Sequence, residues 1–459
     1  MNRNVLWMAL TVIALTAASS LLGLSIRQLT SVFVFATILC GTLYFWQFRL
    51  AFAFIGLTTL LAAGLLDVPH IIEYAGLDII FFLIGMMTVI GFLEENRFFE
   101  HVIEQIMAFT GKNGVKLMVV MMSLAWLSAA LVDEVTSILF MVTAMLHVTK
   151  KHHLDPKPFI LMLVFTTNVG SSATVVGNPI GVLIALRAGF TFADFIRWAT
   201  PISLAALASA IVVCLLYFSK DIKKLHQELA TEKKKEEMIT PIPAKQLNLC
   251  WLIFLGTVTA LVLHHFLEER LGIEKNSLLL GVSLAAGGIV LLLSGEKARE
   301  LVEKRVDWWT LSFFLALFAT VGTLKLTGVT SVAADKLAKA SGQNFPLLFT
   351  SITWSSGLLS AFLDNVLAVA TFVPILGDLK QLGISVTPLW WGILFGCALG
   401  GNLTIIGSTA NIVAAGVLER RKEGSFSFME WVKPGFWIVM VTLILSTVLI
   451  YLQIPLMPK

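Results

Sequence analysis

The chain is written in long apolar runs separated by short polar punctuation. A helix that crosses a bilayer needs about 20 predominantly apolar residues. By that criterion the runs near 5–26, 29–47, 50–66, 77–93, 159–186, 197–218, 248–266, 276–294, 307–325, 388–418 and 435–454 predict eleven spanning helices. Two further apolar segments, 117–148 and 346–377, are interrupted at their centres by Asp133–Glu134 and Asp364–Asn365. Each reads either as a span with a kinked centre or as a re-entrant hairpin that enters and leaves on one side. Irregular backbone at membrane depth is tolerated where protein or water surrounds it. The segments 94–110 and 296–306 are amphipathic and predict interfacial helices.

The basic residues choose between the two readings. Residues 219–247, with Lys233, Lys234 and Lys235, predict a cytoplasmic loop. With both broken segments as hairpins, Arg3, Arg49, Lys112, Lys116, Lys150, Lys151, Lys157, Lys297, Arg299, Lys304, Arg305 and the run 419–422 also fall inside. The loop 67–76, without Lys or Arg, falls outside. Counting a broken segment as one span reverses everything beyond it. The expectation is an all-α polytopic membrane protein of about eleven transmembrane helices plus two re-entrant hairpins. It would lie in the plasma (inner) membrane with its N-terminus in the cytoplasm.

The pattern repeats. Asp133 and Asp364 are 231 residues apart, as are the segments 91–93 (GFL) and 322–324 (GTL). Gly170–Gly177 resembles Gly400–Gly407, and FTFADFIRWATP (190–201) is echoed by FSFMEWVKPGF (426–436). The chain thus divides into an extra N-terminal helix (1–28), a first repeat (29–218), the loop 219–247 and a second repeat (248–459). The expected topology sets the copies in opposite senses. Such inverted repeats are characteristic of secondary transporters, whose sites lie near the midplane at the repeat interface.

Composition agrees with this picture. Of 459 residues 57% are hydrophobic and 14% charged, where a soluble domain carries about a quarter charged. The net charge of +4 matters less than its placement. Cys40, Cys214, Cys250 and Cys397 stand singly in apolar runs, without the spacing of a zinc site or a disulfide framework. The first apolar run continues past any signal-peptide length and reads as a helix. No H-E-x-x-H, G-x-S-x-G or phosphate-binding Gly loop is present, so an enzyme is not expected. The lysine run reads as a topology signal, and no nucleic-acid partner is expected.

Each repeat offers two polar elements, a hairpin tip and a Gly-rich break. The first break, 166–179, contains Asn168, Gly170, Ser171, Ser172, Thr174, Gly177, Asn178 and Pro179; the second, 400–411, contains Gly400, Gly401, Asn402, Thr404, Gly407, Ser408, Thr409 and Asn411. Glycines and proline at this density should unwind the helix and free backbone groups. Asp133, Glu134 and Asp364 are ionisable groups deep in apolar sequence, and a carboxylate at the bilayer centre costs about 2.5–3.5 kcal/mol or more. No Lys or Arg lies in either hairpin centre, so a proton or a metal cation is the economical neutraliser. Helix capping would account for one Asp per hairpin but not for Glu134. At the membrane edges, Asp78 and Asp307 read as helix caps. Lys325, Glu94 and Glu95 stand at helix ends, and His147, His264 and His265 read as interfacial. Trp308–Trp309 and Trp390–Trp391 read as belt anchors.

The strings SAFLDNV (360–366), GGNLTIIGSTANIVAAGVLERR (400–421) and FTTNVGSSATVVGNP (165–179), doubled at this spacing, resemble the ArsB/NhaD branch of the ion transporter superfamily. That branch includes arsenite pumps, NhaD-type sodium–proton antiporters and the melanosomal P protein. The resemblance covers roughly residues 30–455. It implies a scaffold part from the early helices of each repeat and a transport part from the hairpins and the helices after them. It also implies a homodimer with elevator-like movement. Asp133–Glu134 stands where the family usually has Asp-Asn. Gly177-Asn178-Pro179-Ile180-Gly181 stands where it often has Gly-Asp-Pro-Pro-Asn.

The first expectation is a sodium (or lithium)–proton antiporter. Sodium would bind at Asp133, Asp364, Asn168 and Asn402. Glu134, Asn365, Ser171, Ser172, Thr174, Asn178, Thr404, Ser408, Asn411 and freed carbonyls would complete an oxygen cage suited to a hard cation. No cofactor is expected beyond the transported Na+ and H+. Arsenite or antimonite export and cation-coupled anion carriage are the alternatives, and a channel is the rival from another class.

Overall fold

In the computed structural model, which describes residues 2–102, 105, 113–231, 243–342 and 344–457, regular structure among the described residues is entirely helical. Apolar side chains in lipid leave the backbone no partner but itself, and helices satisfy that demand locally. Nine helices among the described residues are long and apolar enough to cross a membrane. Seven coincide with expected spans: Ile26–Tyr44 (α2), Leu77–Glu95 (α5), Phe192–Tyr217 (α10), Ala244–Leu271 (α12), the run from Ser277 (α13, Ser277–Ser294), Trp308–Leu326 (α15) and the run from Phe428 (α21, Phe428–Gln453). The other two are the first arms of the broken segments, Gly114–Leu131 (α6) and Phe345–Phe362 (α17).

The remaining expected spans are shorter helices or pairs of them. Asn2–Ser20 (α1), whose apolar stretch is Asn4–Ser20, and Arg49–Ala62 (α3) are single helices. The run 159–186 is Lys157–Ser171 (α8) and Pro179–Ala188 (α9); the run 388–418 is Thr387–Gly400 (α19) and Thr409–Arg420 (α20). Each break falls where glycines, a proline or β-branched residues crowd the sequence.

Both interrupted segments turn back on themselves. The first folds as α6 and Glu134–Lys151 (α7), the second as α17 and Asn365–Gln381 (α18). Across the first turn the hydroxyls of Ser128 and Ser137 meet at 2.7 Å, which a continuous helix could not allow at that separation. Each hairpin packs its first arm on the first half of the broken helix that follows, α6 on α8 and α17 on α19. The approach is backbone to backbone. A Cβ at Gly170 would stand 2.2 Å from the Trp126 carbonyl oxygen, and one at Gly400 would stand 2.2 Å from that of Gly357. Gly170→Ala and Gly400→Ala are therefore expected to destabilise by about 1–3 kcal/mol through overpacking. Gly416→Ala, whose Cβ meets nothing within 4 Å, is expected to be neutral; thermal unfolding in detergent makes the comparison.

Several edge assignments differ from expectation. Residues 219–231 form a helix (Ser219–Thr231, α11) that buries Ile222, Leu225 and Leu229, because its apolar residues recur at helical spacing and find α6 to cover them. Lys233–Lys235 lie outside the described residues. Of the segment 94–110, residues 103, 104 and 106–110 also lie outside them, while Phe98 and Phe99 are buried against Trp251, Phe254 and Phe140. Ala298–Arg305 (α14) buries Leu301 and exposes the pairs Arg299–Glu303 and Lys304–Glu300. Asp307 does cap α15, accepting from the Thr310 amide. Asp78 does not cap α5, whose N-cap is Gly76; its carboxylate instead takes both guanidinium nitrogens of Arg187, at 2.8 and 3.1 Å. Glu94 and Glu95 both pair with Arg305. Trp390 and Trp391 are buried, with Trp391 stacked on Phe190 at 4.5 Å, so they are packing residues and not belt anchors. His264 is buried too, its Nδ1 on the Leu261 carbonyl.

Candidate functional site

The two hairpin tips and the two breaks come together. At the first tip Asp133 is the N-cap of α7, and its Oδ1 accepts from the Val135 and Thr136 amides at 2.8 Å each. At the second, Asp364 caps α18 through the Val366 amide (3.0 Å) and also accepts from the Thr409 hydroxyl (2.6 Å). The capping role is thus met in both copies, and Glu134, one residue on, is left free for another purpose.

Glu134 is 2% exposed and reaches across the repeat interface. Its carboxylate accepts from Asn365 Nδ2 at 3.2 and 3.4 Å and faces the Ser408 hydroxyl at 3.4 Å. Asn365 is the repeat-equivalent of Glu134, so the two tips touch through matching positions. The N-termini of α7, α18 and α20 all meet here, and their dipoles favour negative charge. That supplies part of the support which no lysine or arginine in the tips provides. Asn365 Oδ1, however, is buried and accepts no hydrogen bond from the protein, which leaves it open to a donor or a cation.

A second layer is built of amides. Asn168 Nδ2 donates to Asn402 Oδ1 (2.7 Å) and Asn411 Oδ1 (2.8 Å), and Asn168 Oδ1 faces the Ser408 hydroxyl at 3.1 Å. Asn402 Nδ2 donates to the Phe165 carbonyl, and Asn411 Nδ2 to the carbonyls of Gly401 and Thr404. These side chains are essentially inaccessible. Ser408 has one hydroxyl hydrogen for two acceptors, Glu134 Oε1 and Asn168 Oδ1, so it can serve only one at a time.

The remaining predicted site residues hold the breaks in place. Thr174 donates to the Ala130 carbonyl and Thr404 to the Ala361 carbonyl, the same bond in each repeat, fastening break to hairpin. Asn178 caps α9 through the Gly181 amide and donates to the Ser171 hydroxyl; Ser171 and Ser172 in turn donate to the Asn168 and Val169 carbonyls. Gly177 packs on Ser171, and Gly401 and Gly407 pack on each other. Of the four residues expected to hold sodium, Asn168 and Asn402 join directly, while Asp133 and Asp364 sit at separate tips.

Sequence reasoning missed three supporting residues. Trp431 Nε1 donates to the Asn402 carbonyl, and Trp126 Nε1 to Ser203, whose hydroxyl donates to the Val169 carbonyl. Arg49, read only as a topological charge, is buried, and its Nη2 donates to the Thr310 hydroxyl. All four cysteines are buried and unpaired, and Cys397 Sγ lies 3.6 Å from the Ser356 carbonyl oxygen. Beside the site, a cleft of about 940 Å³ between Val68–Tyr74 (α4), α5 and α15 on one side and α9 and α18 on the other is lined by Glu73, Asp78, Arg187, Lys325 and Lys380, among others.

Comparison with known proteins places the geometry in context. The CitMHS family model, described as citrate transporter, matches residues 44–396 and 322–458. An uncharacterized transporter of Mycobacterium tuberculosis is 29% identical over 82% of this chain and 86% of its own length. The P protein of Mus musculus is 26% identical over 82% of this chain, which spans 54% of that protein. Among solved structures, the YdaH transporter of Alcanivorax borkumensis matches with a TM-score of 0.59 over 85% of this chain and 87% of its own. At 14% identity that likeness concerns the fold alone.

Proposed function

From the premise that the chain belongs to the CitMHS citrate transporter family, and so is a multi-pass membrane transporter, we propose that it is a secondary carrier exchanging sodium or lithium for protons. The observation that carries this reading is the Glu134–Asn365 contact between the repeats, with Asn365 Oδ1 buried and unpartnered. An ionised Glu134 takes the amide hydrogens of Asn365. When a proton or a cation sits on Glu134, the amide turns and Oδ1 accepts from the protonated carboxyl or ligates the cation. One carboxylate cannot hold both, and that competition couples the two ions.

The turn amides of Val135 and Thr136 both use Asp133 Oδ1, and Asp364 Oδ2 accepts from the Thr409 hydroxyl. Each would act from its own tip, since among the described residues no three Asp, Glu, His or Cys side chains stand together as a set that could hold one metal ion. Asn168 and Asn402, expected as sodium ligands, could each offer a lone pair of Oδ1 while Asn168 Nδ2 keeps its bond to Asn402. Ordinary alternating access would carry hairpins and breaks as one body past α2–α5 and α12–α15. The accompanying proposals are a homodimer, an elevator-like stroke, a plasma-membrane location and a cytoplasmic N-terminus.

A second reading, carriage of a citrate-like anion, is favoured by the cleft, where Lys325 and Lys380 face open space beside Arg187. Proteoliposomes decide between them. Sodium uptake driven by an outward proton gradient, diminished about tenfold or more in Asp133→Asn and Asp364→Asn, supports exchange. Citrate uptake with no sodium–proton exchange would replace it.

A further inference from the structure

Polar side chains of the framing helices grip the last turn of α9 at two points. Arg187, in that turn, gives Nη1 to Asp78 Oδ2 at 2.8 Å and Nη2 to Asp78 Oδ1 at 3.1 Å, a bidentate pair. Asp78 stands in the first turn of α5. Two residues before Arg187, the Ala185 carbonyl accepts from Asn276 Nδ2 at 3.2 Å. Asn276 is the N-cap of α13 and has a left-handed backbone. Buried Glu268 holds that turn, accepting from the Asn276 and Leu278 amides at 3.1 and 2.7 Å.

Asp78 and Arg187 face each other across the cleft of about 940 Å³, and their side chains are 37% and 34% exposed. An ion pair so open to solvent contributes little to folding, while its two-pronged geometry makes it specific. That combination suits a contact that is made and broken. It exists in one repeat and not in the other. At the head of α15, Asp307 is bound to the Thr310 amide and hydroxyl, and Arg420, in the last turn of α20, is exposed.

We propose that Asp78, Arg187 and Asn276 form a clasp between the frame and the moving body, with Arg187 as its positioning residue. The inference rests on the moving-body reading given above. In that reading α9 follows the first break and travels with the hairpins, while α5 and α13 stay with the frame. The clasp holds the cleft in its present open form, and the stroke has to part it. Because only one repeat makes it, the two facings of the carrier differ in energy.

Two experiments on the full-length chain test it. Gly377 lines the cleft, and a Cβ there would meet nothing within 4 Å. All four native cysteines are buried, so Gly377→Cys supplies a reporter thiol. In nanodiscs, its labelling by a fluorescent maleimide is expected to slow several-fold when Asp78→Asn or Arg187→Gln is added. The charge exchange, Asp78→Arg with Arg187→Asp, is expected to restore it. Unchanged or faster labelling in either single variant overturns the clasp, as does an exchanged pair no faster than the singles. In the second experiment, Asp78→Cys with Arg187→Cys is bridged by a bifunctional methanethiosulfonate. Sodium–proton exchange in proteoliposomes is expected to stop and to return on reduction; undiminished exchange by the bridged protein overturns the proposal. If the wild type exchanges no sodium at all, the exchange reading fails, and the labelling still judges the clasp.

Discussion

If the chain exchanges sodium for protons as proposed, Glu134→Gln is expected to abolish that exchange while leaving the melting temperature within a few degrees of wild type. The glutamine keeps the shape of the side chain and can still meet Asn365 and Ser408, but it cannot carry the charge that a proton and a cation compete for. Glu134→Ala loses exchange as well, and it also leaves the Asn365 amide with no acceptor. A buried donor so stranded costs about 1–3 kcal/mol, so alanine should lower stability where glutamine does not. Initial rates of sodium uptake, alongside thermal unfolding of the same preparations, separate the two effects. A Glu134→Gln protein that exchanges normally would reduce Glu134 to a packing residue.

The largest stability effect is expected at Asn168. Its amide donates to two acceptors, Asn402 and Asn411, and its carbonyl oxygen faces Ser408. Asn168→Ala strands two buried acceptors at the crossing of the breaks, a loss of roughly 2–5 kcal/mol on the usual cost per unsatisfied group. Asn168→Asp keeps the volume but replaces the donor by an acceptor, and it adds a charge beside Glu134. It should be at least as damaging at alkaline pH. Denaturation in detergent reads both. A melting temperature unchanged in Asn168→Ala would mean that water enters and replaces the amide.

Much of this architecture was legible before any coordinates. The interruptions at Asp133 and Asp364 marked the hairpin turns, since a carboxylate in an apolar run demands a cap or a partner. The clustered glycines at 170–177 and 400–407 marked the breaks. The common spacing of about 231 residues tied each hairpin to its break, and it identified Asn365 as the counterpart of Glu134. What escaped were relations set by long-range packing. Trp391 looks like an interfacial tryptophan until Phe190, some two hundred residues earlier, stacks on it. Asp78 looks like a cap until Arg187 reaches it from α9. Arg49 looks like a topological charge until Trp46 and Thr310 enclose its guanidinium. The hydrogen bonds of Asn168 to Asn402 and Asn411, residues expected as ion ligands, join positions more than two hundred apart and could not be read from the sequence.

The most direct test of the account is calorimetry of sodium binding to the purified carrier in buffers of different ionisation enthalpy. Binding to a protonatable site must release the proton it displaces. The account predicts that each sodium ion bound releases a proton, that affinity falls as the pH is lowered, and that Glu134→Gln binds without that release or not at all. Sodium binding with no proton release, unchanged by Glu134→Gln, would contradict it.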